Sequence, residues 1–324
     1  MTLYPLKFTP ISKYRIWGGN KLNTVLNKGF NSEDIGESWE VSGVEGDETV
    51  VKEGALSGKT LKQLSQEFQD SLLGNNVYNT FKDQFPLLIK FIDAKTPLSI
   101  QVHPHDPIAK ERHNSFGKNE MWYIMDTDED AEIIVGFTKP LNKESYTKYL
   151  ENDQILDVLN TVKTKPGDAF NIPTGRVHAI GAGVLLAEIQ QTSDITYRIY
   201  DYNRVDKTTG KKRELHNELA LDVIDFEVHD NYKTTYNVEE NKSNQLIHTP
   251  YFKSNLLILT STIDKNYTEI DSFILYICTK GSFTISVNSK TYSVAKGETI
   301  LIPASMKNLV LATNDNAEIL EVYY

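Results

Sequence analysis

Hydrophobic positions along this chain fall mostly in short runs: PLLIKFID, PLSIQVH, EMWYIM, AEIIVGF, AFNIP, VLLAEIQ and ITYRIYDY, then a second series from FILYIC to ILEVYY. Many are bounded by Gly, Pro, Asn or Asp, the punctuation of an all-β sandwich or barrel. Helical periodicity appears only as insertions. Thr60 and Gln63 form a capping box ahead of Leu61, Leu64, Phe68 and Leu72, and Gly74 supplies a stop. A second helix is predicted from about Asn142 to Leu159, and a third over ELHNELALDVIDF. The polar, Asn-, Lys- and Glu-rich stretch from about Asp230 to Asn244 reads as a linker or surface crossing, where a domain boundary fits.

The two series of strands contain copies of one segment. PGDAFNIPTGRVHAI (166–180) lies on KGETILIPASMKNLV (296–310) without a gap, placing Gly167 on Gly297, Asp168 on Glu298, Ile172 on Ile302 and Pro173 on Pro303. His178 falls on Asn308. If the halves are copies, the second has lost whatever His178 does. The pattern G-[DE]-x4-I-P-x4-H resembles the second motif of the cupin superfamily, small jelly-roll barrels that often hold a metal. That resemblance implies a mainly β chain of two cupin-like jelly-roll β-barrels with helical insertions.

Composition narrows the partners. The 324 residues carry a formal charge of −10, against a general nucleic-acid or anionic-membrane binder, which normally shows a basic patch. A few local Lys and Arg can still make a positive pocket for a small anion. No basic stretch followed by an apolar run opens the chain and no apolar run is long enough to span a bilayer, so the cytoplasm is the simplest location. Cys278, the single cysteine, sits in the apolar run FILYIC and reads as a buried thiol.

Candidate chemistry centres on SIQVHPHD, residues 99–106. Alternation along a strand puts Ser99, Gln101 and His103 on one face and Ile100 and Val102 on the other. Pro104 lacks the N–H of a central ladder, so the strand ends at His103. Asp106 with Pro107 reads as an N-cap and first helical residue, leaving His105 in a turn. A lone His103 is most simply a hydrogen-bonded structural imidazole. Downstream, however, Glu120 opens the strand EMWYIM and His178 lies in RVHAI. Two imidazoles and a carboxylate, with one position left to water or substrate, suit a catalytic zinc; Gln101 could add a weaker, neutral oxygen.

QVHPHD, GKNEMWY and IPTGRVHAIGAG, in that order, closely resemble the signature blocks of the type I mannose-6-phosphate isomerases, as do YRIWGG and QTSDITYRIYDYNR. The match runs from about Trp17 to Arg204 with further agreement near the C-terminus, and is nearest the shorter bacterial branch. The resemblance implies interconversion of mannose 6-phosphate and fructose 6-phosphate through a cis-enediol, assisted by one Zn2+ per chain. It places the metal ligands on His103, Glu120, His178 and Gln101, the last outside direct contact in some short members. It also implies a catalytic cupin domain over 1–235, with insertions at about 58–75 and 142–160, and a C-terminal cupin-like domain over 245–324 without metal ligands. A monomer or weak homodimer is expected, with a phosphorylated sugar as its partner.

The remaining candidates join residue and family readings. Arg198, in ITYRIYDY, shares a face with Thr196 and Tyr200; an inward arginine is costly without an anion. It is either a structural ion pair with Asp194 or Asp201 or, as the family pattern implies, the residue that stabilises the enediolate. Lys118 precedes Glu120 by two and matches a catalytic lysine, with Asn119 where proline is more familiar; a surface lysine is the plain alternative. Ser99 could bond phosphate or a sugar hydroxyl, Lys90 could attract phosphate, and Trp17 could wall the sugar pocket. His105, His113, His216, His229 and His248 match no ligand position. Two other classes compete: a non-catalytic sugar-binding cupin, which would tolerate loss of Lys118 and Arg198, and an iron oxygenase. The latter usually carries a closer G-x5-H-x-H-x3,4-E block, whereas here no Glu follows HPH until Glu111.

Overall fold

A computed structural model describes residues 2–324. The chain is mainly β. In its N-terminal part a six-stranded antiparallel sheet runs in the order Ala169–Ile172, Glu120–Thr127, Val184–Gln191, Leu87–Ala94, Ile11–Gly19, Ile35–Val41. A five-stranded sheet, Tyr197–Tyr200, Ile100–Val102, His178–Ile180, Glu132–Phe137, Leu159–Lys163, lies against it. The two meet in a core of Ile92, Trp122, Phe170 and Leu186 against Ile133, Val135 and Ile180.

Period-two alternation gives the six-stranded sheet two different faces. Leu87, Ile89, Phe91, Met121, Tyr123, Leu185, Ala187 and Ile189 point outward into one continuous hydrophobic core with the C-terminal half. Their alternates, Lys90, Glu120, Trp122 and Glu188, point inward towards the five-stranded sheet. Across the interface between the halves Tyr123 Oη donates to Glu318 Oε1 at 2.9 Å. The C-terminal half stacks a five-stranded sheet, in which Lys253–Leu259, Ala317–Tyr323, Ile274–Lys280 and Thr299–Ile302 are successive neighbours, on a four-stranded one containing Asn308–Ala312.

None of these sheets closes on itself: the ladders end at edge strands, so each half is two stacked open sheets. The internal copy, by contrast, has structural counterparts. Gly167 and Gly297 both turn at positive φ (92° and 82°), a conformation that glycine adopts without the steric cost a Cβ brings. Asp168 accepts the Lys165 N–H as Glu298 accepts that of Ala295. The cross-strand row Lys90–Glu188–Trp122–Phe170 repeats as Asn255–Glu321–Tyr276–Ile300.

The helical insertions are shorter than the periodicity suggests. Leu61–Leu73 forms, with both arms of the Thr60–Gln63 capping box made, although Gln69 departs from helical geometry. The second helix stops at Glu151; Asp153 at φ 54° turns the chain into a 3-10 turn, Ile155–Val158, and then a strand. The third is only Asn217–Leu221. The helix after HPH is Asp106–His113, so His105 is its N-cap residue rather than Asp106. Asp106 Oδ1 accepts instead from the Gly117 N–H and Gln191 Nε2, tying the helix to the segment that leads into Glu120. Within residues 230–243, Thr234 N–H bonds the Ala169 carbonyl and Lys233 pairs with Asp168, while Asn241 N–H bonds the Ile258 carbonyl of the C-terminal half.

Candidate metal centre and adjoining cleft

His103, Glu120 and His178 come from three different strand regions yet their ligand atoms lie within 4.8 Å of one another, all three residues buried. His103 Nε2 is 3.5 Å from Glu120 Oε2, and His178 Nε2 is 3.3 Å from Glu120 Oε1. Each imidazole is aimed by its other nitrogen: Nδ1–H of His103 donates to the Ile195 carbonyl (2.9 Å) and that of His178 to the Arg176 carbonyl (2.8 Å). That fixes the tautomer and leaves both Nε2 lone pairs facing the carboxylate, the arrangement in which histidines bind metal.

The electrostatics of the cluster fit a cation. Burial pushes the Glu120 carboxyl up to about 8, Glu188 adding to the rise and Lys118 and Lys90 opposing it. Burial pushes His178 down to about 4 and His103 well below its ordinary value, so both rings are neutral ligands. His103 Nε2 and both Glu120 oxygens are buried without a hydrogen-bond partner. Buried polar atoms are nearly always satisfied, and three orphans converging from an imidazole and a carboxylate, with a second imidazole beside them, could hold a divalent metal. Gln101 stands next to this set, its Nε2 3.3 Å from His178 Nε2.

A cleft of about 390 Å³ opens next to the cluster, and Trp17, Lys90, Ser99, Gln101, Lys118 and Arg198 all line it. Lys118 Nζ is 3.5 Å from Glu120 Oε2, although the strand proper begins only at Glu120. Arg198 pairs with neither Asp194 nor Asp201. Its Nε donates to Ser99 Oγ (3.3 Å) and its Nη1 to the Glu214 carbonyl (2.9 Å). Burial, with Arg213 close by, lowers its guanidinium below the ordinary value. The Trp17 ring is buried; a Cβ on Gly36 would come within 2.5 Å of it, so glycine there makes its room.

Lys90 is not an uncommitted cation. Its Nζ lies 3.1 Å from Glu188 and 4.0 Å from Glu37, and Glu37 is held in turn by Nε and Nη2 of Arg15 and by the Trp39 indole N–H. Burial alone would raise the Glu37 carboxyl, but Lys90 and Arg15 bring it down to about 2. Lys90→Met is expected to cost about 3–5 kcal/mol, because it leaves the buried Glu188 carboxylate without its cation; the midpoint of urea unfolding measures it, and a loss under about 1 kcal/mol would show that water reaches the row.

Nothing in the sequence alone singles out Glu37, Glu188, Arg15 or Arg213. Glu188 has the one available signal, an acid on the inward alternation of VLLAEIQQ. Arg213 belongs to a loop and reaches the cleft while sharing Asp201 with Arg204. Among the other histidines, His105 is exposed and His216 accepts the Arg198 backbone N–H. His229 also lies near Asp225 and Glu227, but both acids are exposed and its Nε2 accepts from Arg176.

Residues 6–148 match the family model described as phosphomannose isomerase type I, catalytic domain, and residues 242–323 match the mannose-6-phosphate isomerase cupin domain. The mannose-6-phosphate isomerase ManA of Bacillus subtilis is 37% identical over 308 residues, 94% of each chain. The mannose-6-phosphate isomerase of Streptococcus mutans is 33% identical over 91% of this chain and 90% of that one. A crystal structure of the Bacillus subtilis mannose 6-phosphate isomerase superposes with a TM-score of 0.89 at 31% identity, over 99% of this chain and 100% of the other.

Proposed function

This chain belongs to the type I phosphomannose isomerases, and on that premise we propose that it interconverts mannose 6-phosphate and fructose 6-phosphate with one zinc ion held by His103, Glu120 and His178. The observation that carries the reading is the convergence of orphaned, buried Nε2 and carboxylate oxygens at the end of a cleft rich in guanidinium groups. Held by these residues, zinc would supply charge stabilisation for the oxygens of the open-chain sugar. Gln101 stands at the edge of the set, close enough to contribute to it.

The chain's own residues do the rest. Isomerisation moves a proton between C1 and C2, so it needs a group that takes and returns one beside those carbons. Lys118, next to Glu120 and facing the cleft, is that group in our reading. Arg198 has hydrogen bonds but no carboxylate, which leaves its charge for the developing enediolate. Ser99 holds Arg198 Nε and faces the same space. Arg15 and Arg213, partly exposed at the cleft wall beside Glu37 and Asp201, suit the phosphate, whereas Lys90, buried against Glu188, shapes the floor with Trp17 closing one side. We read the halves, about 1–235 and 245–324, as two cupin-like jelly rolls of which only the first holds metal, in an enzyme of the cytoplasm, where the buried thiol of Cys278 stays reduced.

A coupled assay of isomerase activity tests this directly. Metal-stripped protein is expected to be inactive towards mannose 6-phosphate, and one equivalent of zinc is expected to restore turnover. Full zinc occupancy without turnover would refute catalysis and favour a sugar-binding protein.

A further inference from the structure

The turn from Gln191 to Ile195 meets the site at three places. The Ile195 carbonyl holds His103 Nδ1. The Gln191 side chain accepts from both the backbone and the side-chain amide of Asn119, the residue between Lys118 and Glu120 (2.9 and 2.8 Å). Asp194 lines the cleft. On its outer side the turn is tied down by Thr192, which bonds to the Pro86 and Phe85 carbonyls.

One core side chain enters it from the inside. Gln190 is fully buried and sits directly across from Glu120 in the paired strands. Its Nε2 donates to the carbonyls of Gln191 (2.9 Å) and Ser193 (2.6 Å). The Gln191 carbonyl also accepts the Ser193 N–H, but the Ser193 carbonyl has no other donor among the described residues. Ser193 Oγ then accepts the Ile195 N–H at 3.4 Å. A line of contacts therefore runs from the Gln190 amide through Ser193 to the carbonyl that aims His103.

We propose that Gln190 is a positioning residue of the metal centre: its amide sets the turn so that Ile195 orients His103 while Gln191 holds the segment bearing Lys118 and Glu120. The inference rests on the metal reading above. Partners behind a metal ligand typically change affinity by about 10–100-fold when removed, and Gln190 acts one residue further out. Gln190→Met keeps the length and unbranched shape of the side chain but deletes both donors.

Zinc affinity measured by competition with a chelator is expected to fall about tenfold in Gln190→Met, and Ser193→Ala to move it the same way by less. Glu321→Gln, which perturbs a buried network in the other half, is expected to lower thermal stability with zinc affinity unchanged. Should Gln190→Met not fold, Ser193→Ala carries the comparison. Zinc affinities within about twofold of wild type, or an equal fall in Glu321→Gln, would overturn the proposal. Wild-type protein that takes up no zinc would sink the metal reading and this inference with it.

Discussion

Alanine at position 178 is expected to abolish zinc retention and turnover, whereas alanine at position 105 leaves both nearly intact. In the proposed site His178 supplies one of three protein ligands, and its fully buried ring is aimed by the bond from Nδ1–H to the Arg176 carbonyl. Removing it takes away a ligand itself, and the loss should exceed the about 10- to 100-fold that deletion of an outer partner causes. His105 is exposed at the start of a helix, on the far side of Pro104 from the site. Zinc content after dialysis against a chelator separates the two. Equal retention in both variants would mean that the metal is held elsewhere.

Arg198→Ala is expected to lower kcat by about 10²–10³, the scale seen when one preorganised donor to a developing oxyanion is removed. Zinc content should stay at one per chain, since Arg198 touches Ser99, Glu214 and His216 but none of the three ligands. Lysine is expected to restore only part of the rate, because a point charge does not reproduce a planar fork of donors. The decisive comparison is kcat at saturating mannose 6-phosphate on protein of measured zinc content. A drop smaller than about tenfold would demote Arg198 to a structural role.

Much of this is legible in the sequence for a simple reason: alternation is local. The inward row Ser99, Gln101, His103, the strand starting at Glu120 and the capping box at Thr60 each follow from neighbours a few residues apart. The internal copy is legible because Gly167 and Gly297 occupy the same turn, whose positive φ glycine meets in both halves.

The parts that are not legible depend on partners distant in the chain. Glu37, Lys90 and Glu188 form one charged row only after three strands align, so each alone reads as an unexplained polar residue in an apolar run. Asp106 resembles a helix cap, but Gly117 and Gln191 compete for its carboxylate. The helix predicted beyond Glu151 yields to a turn at Asp153 and to pairing of Leu159–Lys163 with Glu132–Phe137.

The duplicated row also bears on whether the two halves could ever exchange roles. Glu321 stands where Glu188 stands, but Lys265 neutralises it and Asn255 donates a hydrogen bond to it within its own half. Ile274 pairs with Ile302 as Glu120 pairs with Ile172, so an aliphatic side chain occupies the position of the metal carboxylate. Asn308, which aligns with His178, is exposed at the start of its strand while Leu309 and Leu311 fill the interior, so a histidine there would stand outside that core. The C-terminal half, whose core is continuous with the outer face of the six-stranded sheet, serves as a buttress, and a metal site there would need several changes at once.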